Sequence, residues 1–462
     1  MKVATVILAA GQGTRMKSEK PKVLHPIGGQ PMLLRAIQTA ERVGANRLVV
    51  VVGHQAEAVV QAVGGRAQIV LQAQQLGTGH AVLQAADQLR GACDLVLVTY
   101  ADMPLLRPET LQRLIDAQRA NAEGCLAMLT VTLPDPRGFG RIVRTADGSV
   151  VAIVEEAECT PEQRAIRELN AGVYAFDAAW LWQALPHIQP KSKGEYYLTD
   201  LIEMAVAEGQ RVVGVEASDP DEVIGINTRV HLAEAEAILR RRINQMHMLN
   251  GVTLIDPATT YIEDSVQIGA DTVIYPNVQL RGKTTIGTNC LIDSSTIIVD
   301  SHIGSHCRIV ASVIEGAVLE DHVEIGPFGH LRQGAHLCEG VHLGNFGEVK
   351  NARLGRGTRM GHFSYIGDAE IGEDVNIGAG TITVNYDGVR KHKTIIGDQA
   401  FIGSDSLLIA PISIASHAQT AAGAVVTRDV PSGYIAVGVP ARMRPRQPKV
   451  TQEAGDPKAP SE

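Results

Sequence analysis

The second half of the chain, from about residue 251, repeats an aliphatic residue every six positions. Neither the helical period of 3.6 residues nor the strand period of two produces this spacing. A three-sided parallel β-solenoid does, because each six-residue side places one aliphatic residue on a common axis. A β-sandwich is the alternative, and it gives no reason for the register to persist. The aliphatic positions are Ile262, Ile268, Ile274, Leu280, Ile286 and Ile292, then Leu319, Ile325, Leu331, Leu337, Leu343 and Val349, and later Leu354, Met360, Ile366, Ile371, Ile377, Ile396, Ile402, Leu408 and Ile414.

The first half, up to about residue 228, follows a different pattern. Short runs that are apolar on both sides, "KVATVILAA", "RLVVVVG" and "DLVLVTYAD", alternate with segments of helical spacing. We therefore predict a parallel α/β sheet over residues 1–228, with ligands at the carboxyl ends of its strands. Residues 229–250 contain no Gly or Pro and predict one connecting helix. The solenoid should occupy residues 251–440, and a disordered tail should follow over 441–462.

Charge and composition limit the function classes. The 462 residues carry a formal net charge of -8 with a sequence pI of about 6.0, which gives no general attraction to nucleic acid or to an anionic membrane. The apolar runs are shorter than the ~20 residues of a membrane helix. The cysteines show no C-x-x-C pair and no metal-ligand spacing, so we expect no disulfide framework, no zinc site and a cytoplasmic protein with reduced thiols. They are Cys93, Cys125, Cys159, Cys290, Cys307 and Cys338.

The stretch "LAAGQGTRM" ends the first predicted strand in a glycine-rich turn. A third Gly of the dinucleotide fingerprint and the Gly-Lys-Ser/Thr of a P-loop are both missing. Gly11 and Gly13 would let backbone N–H groups approach phosphate oxygens, and Arg15 and Lys22 would neutralise the charge. The alternative is a glycine-rich surface turn with solvated basic residues.

Two further segments favour a nucleotide site. Gln72 and Gln75 stand beside the small residues Gly77 and Thr78, and amides pair with both the donor and the acceptor edges of a base. Asp102 ends a predicted parallel strand, where a metal-bound phosphate would lie. An Asp that caps the turn before Pro104 is the alternative interpretation.

The solenoid repeat is interrupted by a polar loop between Gly378 and Ile396. A solenoid can be purely structural or can serve to form trimers, but loops that leave a rigid scaffold often bind ligands. Shortly before this loop, His362 and Tyr365 lie outside the aliphatic register. An imidazole near Lys, Tyr and Asn side chains is a candidate general base, because its ordinary pKa is close to neutral pH.

Several motifs together identify a family. They are "LAAGQGTRM", "PKVLHPIGG", "QLGTGHA", "YADMPL", "GFGRIV", "GEYYLTD" and "GIN" at residues 225–227. These motifs resemble those of sugar-nucleotide pyrophosphorylases. With the hexapeptide half, the chain to about residue 440 resembles the bifunctional N-acetylglucosamine-1-phosphate uridylyltransferases and glucosamine-1-phosphate N-acetyltransferases. The resemblance implies a Rossmann-like, glycosyltransferase-A-like α/β domain joined by a helix to a left-handed parallel β-helix. Ala101 stands where this family commonly has Gly, a mild departure.

For the first half, the resemblance implies in-line attack of N-acetylglucosamine-1-phosphate on the α-phosphorus of UTP, with release of pyrophosphate. Asp102 and Asn227 would ligate Mg²⁺, and Arg15 and Lys22 would act in catalysis by contacting the triphosphate. The implied nucleotide-binding residues are Leu8, Ala9, Ala10, Gly11, Gly13, Lys22, Gln72, Gln75, Gly77, Thr78 and Tyr100. Those for the sugar phosphate are Gly140, Glu155, Asn170 and Asn227.

For the second half, the resemblance implies acetyl transfer from acetyl-CoA to the amine of glucosamine-1-phosphate. His362 would remove the proton and Glu348 would orient the imidazole. The implied sugar-phosphate residues are Arg332, Lys350, Tyr365, Asn376 and Lys391. The implied acetyl-CoA residues are Ala379, Asn385, Tyr386, Ser404 and Ala422. The family forms homotrimers whose acetyl sites use neighbouring chains, and it requires neither nucleic acid nor a membrane.

Some alternatives stay open at the level of sequence. Gly438 stands where some relatives carry an Arg toward the coenzyme phosphates, and Arg442 or Arg444 could replace it. One rival function keeps nucleotidyl transfer alone and uses the solenoid for regulation or assembly. A second rival is a non-catalytic sensor of sugar nucleotides, for which the pair Asp102 and Asn227 has no purpose.

Overall fold

The computed structural model describes residues 1–53, 55–136, 138–191 and 194–446. The chain divides into two compact units between Leu239 and Arg240. None of the helices in the described part of the chain combines the length and the apolar character that crossing a lipid bilayer requires.

The first unit is built on one mixed sheet flanked by helices. Its strands are β1 (Val3–Ala9), β2 (Pro26–Ile27), β3 (Gln30–Pro31), β4 (Arg47–Val52), β5 (Gln68–Leu71), β6 (Leu95–Tyr100), β7 (Leu126–Thr132), β8 (Arg141–Arg144), β9 (Val150–Val154), β10 (Glu168–Asp177) and β11 (Val212–Glu216). Its helices are α1 (Met32–Arg42), α2 (Ala56–Val63), α3 (Thr78–Leu83), α4 (Ala86–Leu89), α5 (Pro108–Ala120), α6 (Pro161–Arg164), α7 (Ala178–Ala184) and α8 (Asp200–Ala207), and α9 (Arg229–Leu249) follows them.

The main sheet has the order β11-β7-β10-β6-β1-β4-β5, with β8 and β9 attached beside β10. Strand β1 is buried at every residue and pairs in parallel with β4 and β6, as the runs of apolar residues predict. The carboxyl ends of these strands therefore meet at one edge of the sheet.

The prediction of an entirely parallel sheet is wrong at β10, which runs antiparallel to both β6 and β7. After β7 the chain does not return through a crossover helix. It stays at the carboxyl edge in the hairpin of β8 and β9, and Leu133 donates a hydrogen bond to Arg167 O at 3.2 Å. The next strand must therefore start at this edge and run back, which brings Asn170 to the ends of β1 and β6.

The second unit is a three-sided parallel β-helix. Its first side has the strands Thr253–Leu254, Val273–Ile274, Leu291–Ile292, Arg308–Ile309, Glu324–Ile325, His342–Leu343, Arg359–Met360, Asn376–Ile377, Phe401–Ile402, Gln419–Thr420, Tyr434–Val437 and Arg442–Pro445. The second side has Tyr261–Ile262, Gln279–Arg281, Ile297–Val299, Val313–Glu315, His330–Leu331, Gly347–Lys350, Ser364–Gly367, Ile382–Val384, Leu407–Ile409 and Val425–Val426. The third has Gln267–Ile268, Thr285–Ile286, His302–Ile303, Val318–Leu319, His336–Leu337, Arg353–Leu354, Ala369–Ile371, Thr394–Ile396 and Ile412–Ile414.

The aliphatic residues of the hexapeptide register fill the axis of the β-helix. Leu319, Leu331, Leu337 and Leu343 are 0 % exposed. They stack on equivalent residues of the adjacent turns, as Leu319 does on Leu337. Apart from Ile268, which is only half-buried, the spacing of six residues thus predicted the interior correctly, because each strand is only two to four residues long and one aliphatic side chain per strand points inward.

The end of the β-helix differs from expectation. Residues 442–445 were predicted to belong to a disordered tail, but Arg442–Pro445 forms a strand that pairs antiparallel with Tyr434–Val437. Residues 447–462 of the predicted tail lie outside the described residues. The apolar residues that pair across this hairpin, Ala436 and Met443, carry too weak a pattern to predict it.

Candidate active sites

The nucleotide site predicted in the first unit lies at the carboxyl ends of β1, β4 and β6. Strand β1 ends with Leu8 and Ala9, Ala10 follows it, and the Ala101 N–H donates a hydrogen bond to Leu8 O at 3.0 Å. These three residues are each at most 8 % exposed, so they can offer backbone groups rather than side chains. The glycine-rich turn follows them directly.

The two turn glycines are not equivalent. Gly13 has φ +64°, and a Cβ there would lie 2.6 Å from the Lys22 Cβ. A Cβ on Gly11 would meet nothing within 4 Å. Gly13 is therefore required by both backbone conformation and the close approach of Lys22, whereas Gly11 is not required on either ground.

Lys22 is the centre of the polar contacts in this turn. Its Nζ donates to Asp102 Oδ2 at 2.5 Å and to Asn227 Oδ1 at 3.1 Å. The Lys22 and Asp102 side chains are 10 % and 18 % exposed. The Ile226 N–H donates to Asp102 O at 2.9 Å, which holds Asn227 beside the end of β6. The two predicted metal ligands, Asp102 and Asn227, are 125 positions apart in the sequence, and both accept a hydrogen bond from the Lys22 ammonium group.

The glutamines and small residues of "LQAQQLGTGHA" form the adjoining wall. Gln72 is 3 % exposed, and its Nε2 donates to Gly77 O at 3.0 Å and lies 3.0 Å from His80 Nδ1. The amide of Gln75 donates to Gln72 O at 3.3 Å. Gly77 has φ +100° and packs against the Tyr196 backbone, where a Cβ would lie 2.6 Å from the carbonyl oxygen.

A cavity of about 510 Å³ opens beside Asp102. Its lining includes the predicted residues Thr78, Tyr100, Gly140, Glu155, Asn170 and Asn227. Asn170 Oδ1 accepts hydrogen bonds from Gly172 N at 2.9 Å and from the Tyr174 hydroxyl at 3.0 Å. Burial raises the pKa of Glu155, while a hydrogen bond from Thr199 opposes the rise. Burial also raises the pKa of Tyr100, which keeps this phenol protonated.

No hydrogen bond or ion pair among the described residues joins Arg15 to Lys22. Its side chain is exposed and lines a second cavity of about 330 Å³ with Gly138, Asn227 and His231. Sequence reasoning missed Tyr174 and Thr199, which fix Asn170 and Glu155. Thr199 belongs to the quoted motif "GEYYLTD", but only the fold shows which carboxylate it meets.

Eight of the twelve acetyl-transfer residues predicted in the second unit fall on two edges of its second side. One edge, where the first side turns into the second, carries His362, Ala379, Ser404 and Ala422 in successive turns of the β-helix. Asp405 donates to Ala379 O at 2.6 Å and Gly423 donates to Ser404 O at 2.8 Å, which aligns these corners. His362 is exposed rather than buried in the prism.

The opposite edge carries Lys350, Asn385, Tyr386 and Lys391. The loop predicted to leave the repeat does so, and an isolated bridge pairs Tyr386 with Lys391. Asn385 is 9 % exposed and donates to Asp368 Oδ2 at 2.5 Å. Sequence reasoning missed Asp368, which also accepts from Asn351 at 2.6 Å.

Between the edges, the face of the second side carries Glu348 next to Tyr365 in register. Both line an open cavity of about 510 Å³. Glu348 Oε1 accepts from Arg332 at 3.0 Å. Among the described contacts, none joins Glu348 to His362, so the orientation of this imidazole by Glu348 stays a prediction. Asn376 lies on the first side, in register with Arg359 and Phe401.

Comparisons with known proteins agree with both units. The model of the MobA-like NTP transferase domain matches residues 5–170, and the hexapeptide repeat of succinyl-transferase matches residues 393–428. The chain is 46 % identical over 439 residues to the bifunctional protein GlmU of Streptococcus equi subsp. zooepidemicus, with 95 % of each chain covered. It is 46 % identical over 455 residues to that of Pelobacter propionicus, with 98 % and 97 % covered. For that of Enterococcus faecalis the identity is 48 % over 434 residues, with 94 % of each chain covered.

Proposed function

The chain belongs to the family of bifunctional GlmU proteins, transferases that make UDP-N-acetylglucosamine by acetyl transfer and uridylyl transfer, and from this premise we propose which residues carry each reaction. The first unit is the nucleotidyltransferase and the second, a left-handed β-helix of hexapeptide repeats, is the acetyltransferase. The roles of single residues, the metal and the assembly are the proposal.

The contacts of Lys22 are the observation that carries the first half. Its ammonium group lies between the oxygens of Asp102 and Asn227, so this pair already accommodates a cation. Carboxylate and amide oxygens are ligands that Mg²⁺ accepts. Asp102 and Asn227 would hold Mg²⁺, which supplies charge neutralisation at the phosphates when bound. Lys22 would then turn toward the triphosphate and neutralise the charge that develops on the α-phosphate.

The hydrogen bonds of Gln72 favour uracil as the base of the nucleotide. The Gln72 amide nitrogen is engaged by Gly77 O and His80, which leaves its oxygen to accept a hydrogen bond. Uracil carries an N–H at ring position 3, whereas cytosine carries an acceptor there. Gln72, with Gln75 beside it, would therefore select UTP over CTP.

The cavity of about 510 Å³ would receive N-acetylglucosamine-1-phosphate. Asn170 uses its oxygen internally and would donate from Nδ2, and Glu155 would accept from a sugar hydroxyl. A phosphate oxygen of this sugar would attack the α-phosphorus of UTP as the bond to pyrophosphate breaks. Arg15, placed at the neighbouring cavity, would contact the triphosphate. Positioning and charge neutralisation suffice, so no side chain need act as a nucleophile.

In the second unit His362 would act as the base. The amine of glucosamine-1-phosphate attacks the thioester carbonyl of acetyl-CoA, the C–S bond breaks, and the amine proton passes through His362 to the departing thiolate. Arg332, Lys350, Tyr365, Asn376 and Lys391 would bind the sugar phosphate. Ala379, Asn385, Tyr386, Ser404 and Ala422 would bind acetyl-CoA.

We further propose that the protein acts as a homotrimer. Residues for one acetyl site occupy two opposite edges of the second side, as His362 and Lys391 do, so neighbouring copies would complete each site. Phe328, Phe346 and Phe363 line the His362 edge and are 54–59 % exposed, with the first two rings 5.2 Å apart. An exposed aromatic column of this kind is typical of an interface. The six free thiols fit the reducing cytoplasm.

One mixture tests both activities. Glucosamine-1-phosphate, acetyl-CoA, UTP and Mg²⁺ are incubated with the full chain, and the products are analysed by mass spectrometry. Asp102→Asn should stop the process at N-acetylglucosamine-1-phosphate, and His362→Ala should prevent its formation. Acetylation that persists in His362→Ala would overturn the assignment of the base.

Mixing subunits tests the shared site. His362→Ala and Lys391→Ala chains, each inactive alone, are unfolded together and refolded. Because some mixed trimers would contain one intact site, acetyl transfer should return in part. No recovery, with mixed trimers verified by native mass spectrometry, would place both residues in the site of a single chain.

A further inference from the structure

Three potential metal ligands converge on the third side of the β-helix. Glu320, His336 and Cys338 each place a ligand atom within 4.8 Å of the other two. His336 Nε2 lies 2.8 Å from Glu320 Oε1, and the second carboxylate oxygen accepts from the Glu339 N–H at 3.0 Å. This cluster uses none of the residues assigned to either reaction.

The geometry of the β-helix explains why they meet. Leu337 points into the axis, so His336 and Cys338 flank it in the same strand region. Leu337 pairs in register with Leu319 of the previous turn, which places Glu320 beside Cys338. The sequence shows only a His-x-Cys pair here. The carboxylate comes from 16 residues earlier, so the spacing of the cysteines could not predict the cluster.

The cluster is exposed to solvent at His336 and Glu320 and buried at Cys338. The His336 and Glu320 side chains are 36 % and 43 % exposed, whereas Cys338 is 2 % exposed. A cation would approach from solvent across the imidazole and the carboxylate and meet the thiol beneath them.

The same turn contains two matched pairs without a thiol. His330 lies 3.3 Å from Glu315 on the second side, and His342 lies 3.1 Å from Glu324 on the first side. Each repeats the imidazole–carboxylate contact between adjacent turns. A His–Glu contact is thus a common element of this part of the β-helix, and the sulfur ligand distinguishes the third side.

We propose that Glu320, His336 and Cys338 bind a divalent transition-metal cation of the Zn²⁺ class. Thiolate, imidazole and carboxylate are all ligands that Zn²⁺ binds, and three protein ligands leave a fourth position for water, whereas Mg²⁺ prefers oxygen donors alone. On binding, the Cys338 thiol loses its proton to solvent, and the neutral His336 imidazole moves its proton from Nε2 to Nδ1 by exchange with water, so that the Nε2 lone pair faces the metal. The cation thereby links two successive turns of the β-helix.

The experiment measures binding to the full chain by equilibrium dialysis in excess Mg²⁺, so that oxygen-donor sites are filled. Zn²⁺ should bind once per chain, and Co²⁺ in its place should give a near-ultraviolet thiolate-to-cobalt band. Cys338→Ser should abolish the band. Both Cys338→Ser and His336→Gln should weaken Zn²⁺ binding by more than about 100-fold, because replacing a residue that merely supports a metal ligand already costs about 10- to 100-fold in affinity. Zn²⁺ should also raise the melting temperature of the wild type but not of these variants.

Matched controls separate this site from general binding. His342→Gln and His330→Gln remove the thiol-free pairs, and Cys93→Ser removes a partly exposed thiol of the first unit. All three should retain the cobalt band and the affinity for Zn²⁺. Binding that is absent in the wild type, that lacks the band, or that falls equally in His342→Gln and His336→Gln would overturn the proposal. Circular dichroism verifies that each variant is folded.

Discussion

Gly13→Ala should separate the geometry of the nucleotide site from the stability of the fold. Gly13 has φ +64°, where a residue with a Cβ pays about 1–2 kcal/mol. The lower entropy of the unfolded Ala chain returns about 0.4–1 kcal/mol, so the net loss of stability should be about 1 kcal/mol. Gly44, after α1, has φ +72° and nothing within 4 Å of a Cβ, so Gly44→Ala should lose this amount alone, whereas Gly13→Ala should lose more because its Cβ also meets Lys22.

The two variants should differ in activity. A Cβ at Gly13 would lie 2.6 Å from the Lys22 Cβ, so Lys22 must move by roughly 0.8 Å to reach ordinary contact at 3.4 Å. A displacement of about 1 Å in a catalytic group costs about 100-fold in rate, or about 2.7 kcal/mol of transition-state stabilisation. Gly13→Ala should therefore lower kcat for uridylyl transfer about 100-fold, and Gly44→Ala should leave it unchanged.

Pyrophosphate release from UTP and N-acetylglucosamine-1-phosphate measures this rate, and thermal unfolding measures the stability. Acetyl transfer by the same preparations is the internal control, because the second unit contains neither glycine. The reasoning is refuted by a Gly13→Ala protein of wild-type uridylyl activity, or by a Gly44→Ala protein that is equally impaired.

Three further variants test other parts of the two sites. Lys22→Met removes the ammonium group that is paired with Asp102. Because an ion pair of this kind contributes roughly 1 kcal/mol, Mn²⁺ should bind the nucleotide-free variant about fivefold more tightly than the wild type. Electron spin resonance measures this affinity. Tighter binding should accompany lost turnover, and weaker binding would contradict the assigned ligands. Burial raises the pKa of Glu155, so the folded state holds a proton that the unfolded chain has released, and stability falls as pH rises through that interval. Glu155→Gln should therefore gain melting temperature relative to the wild type between pH 4 and pH 7, and a constant difference would refute this. His362→Ala should reduce acetyl transfer about 10²- to 10⁴-fold without changing uridylyl transfer, and an equal loss in both would indicate misfolding instead.

The repeating features of this molecule were predictable from its sequence. The period of six predicted the axis residues of the β-helix, because in every turn each strand packs one aliphatic side chain against the axis. The apolar strands of the first unit were equally clear, because β1 is buried on both faces.

The features that depend on distant parts of the chain were not predictable. The reversal of β10 follows from where the chain lies after the hairpin of β8 and β9, and no local pattern encodes it. The contact between Lys22 and Asn227 joins residues 205 positions apart. Motifs identified both residues, but only the fold shows that the ammonium lies between the two predicted metal ligands. The division of the acetyl residues between two edges likewise emerges only once the turns are stacked.

The hairpin that ends the β-helix covers the last strand of its first side. A stack of parallel strands ends in a row of unpaired N–H and C=O groups, a ready template for another chain. On the first side this row belongs to Tyr434–Val437, and the antiparallel strand Arg442–Pro445 covers it with two arginines and a proline. A chain truncated before Arg442 would expose the unpaired N–H and C=O groups of Tyr434–Val437, and such molecules should join end to end into filaments.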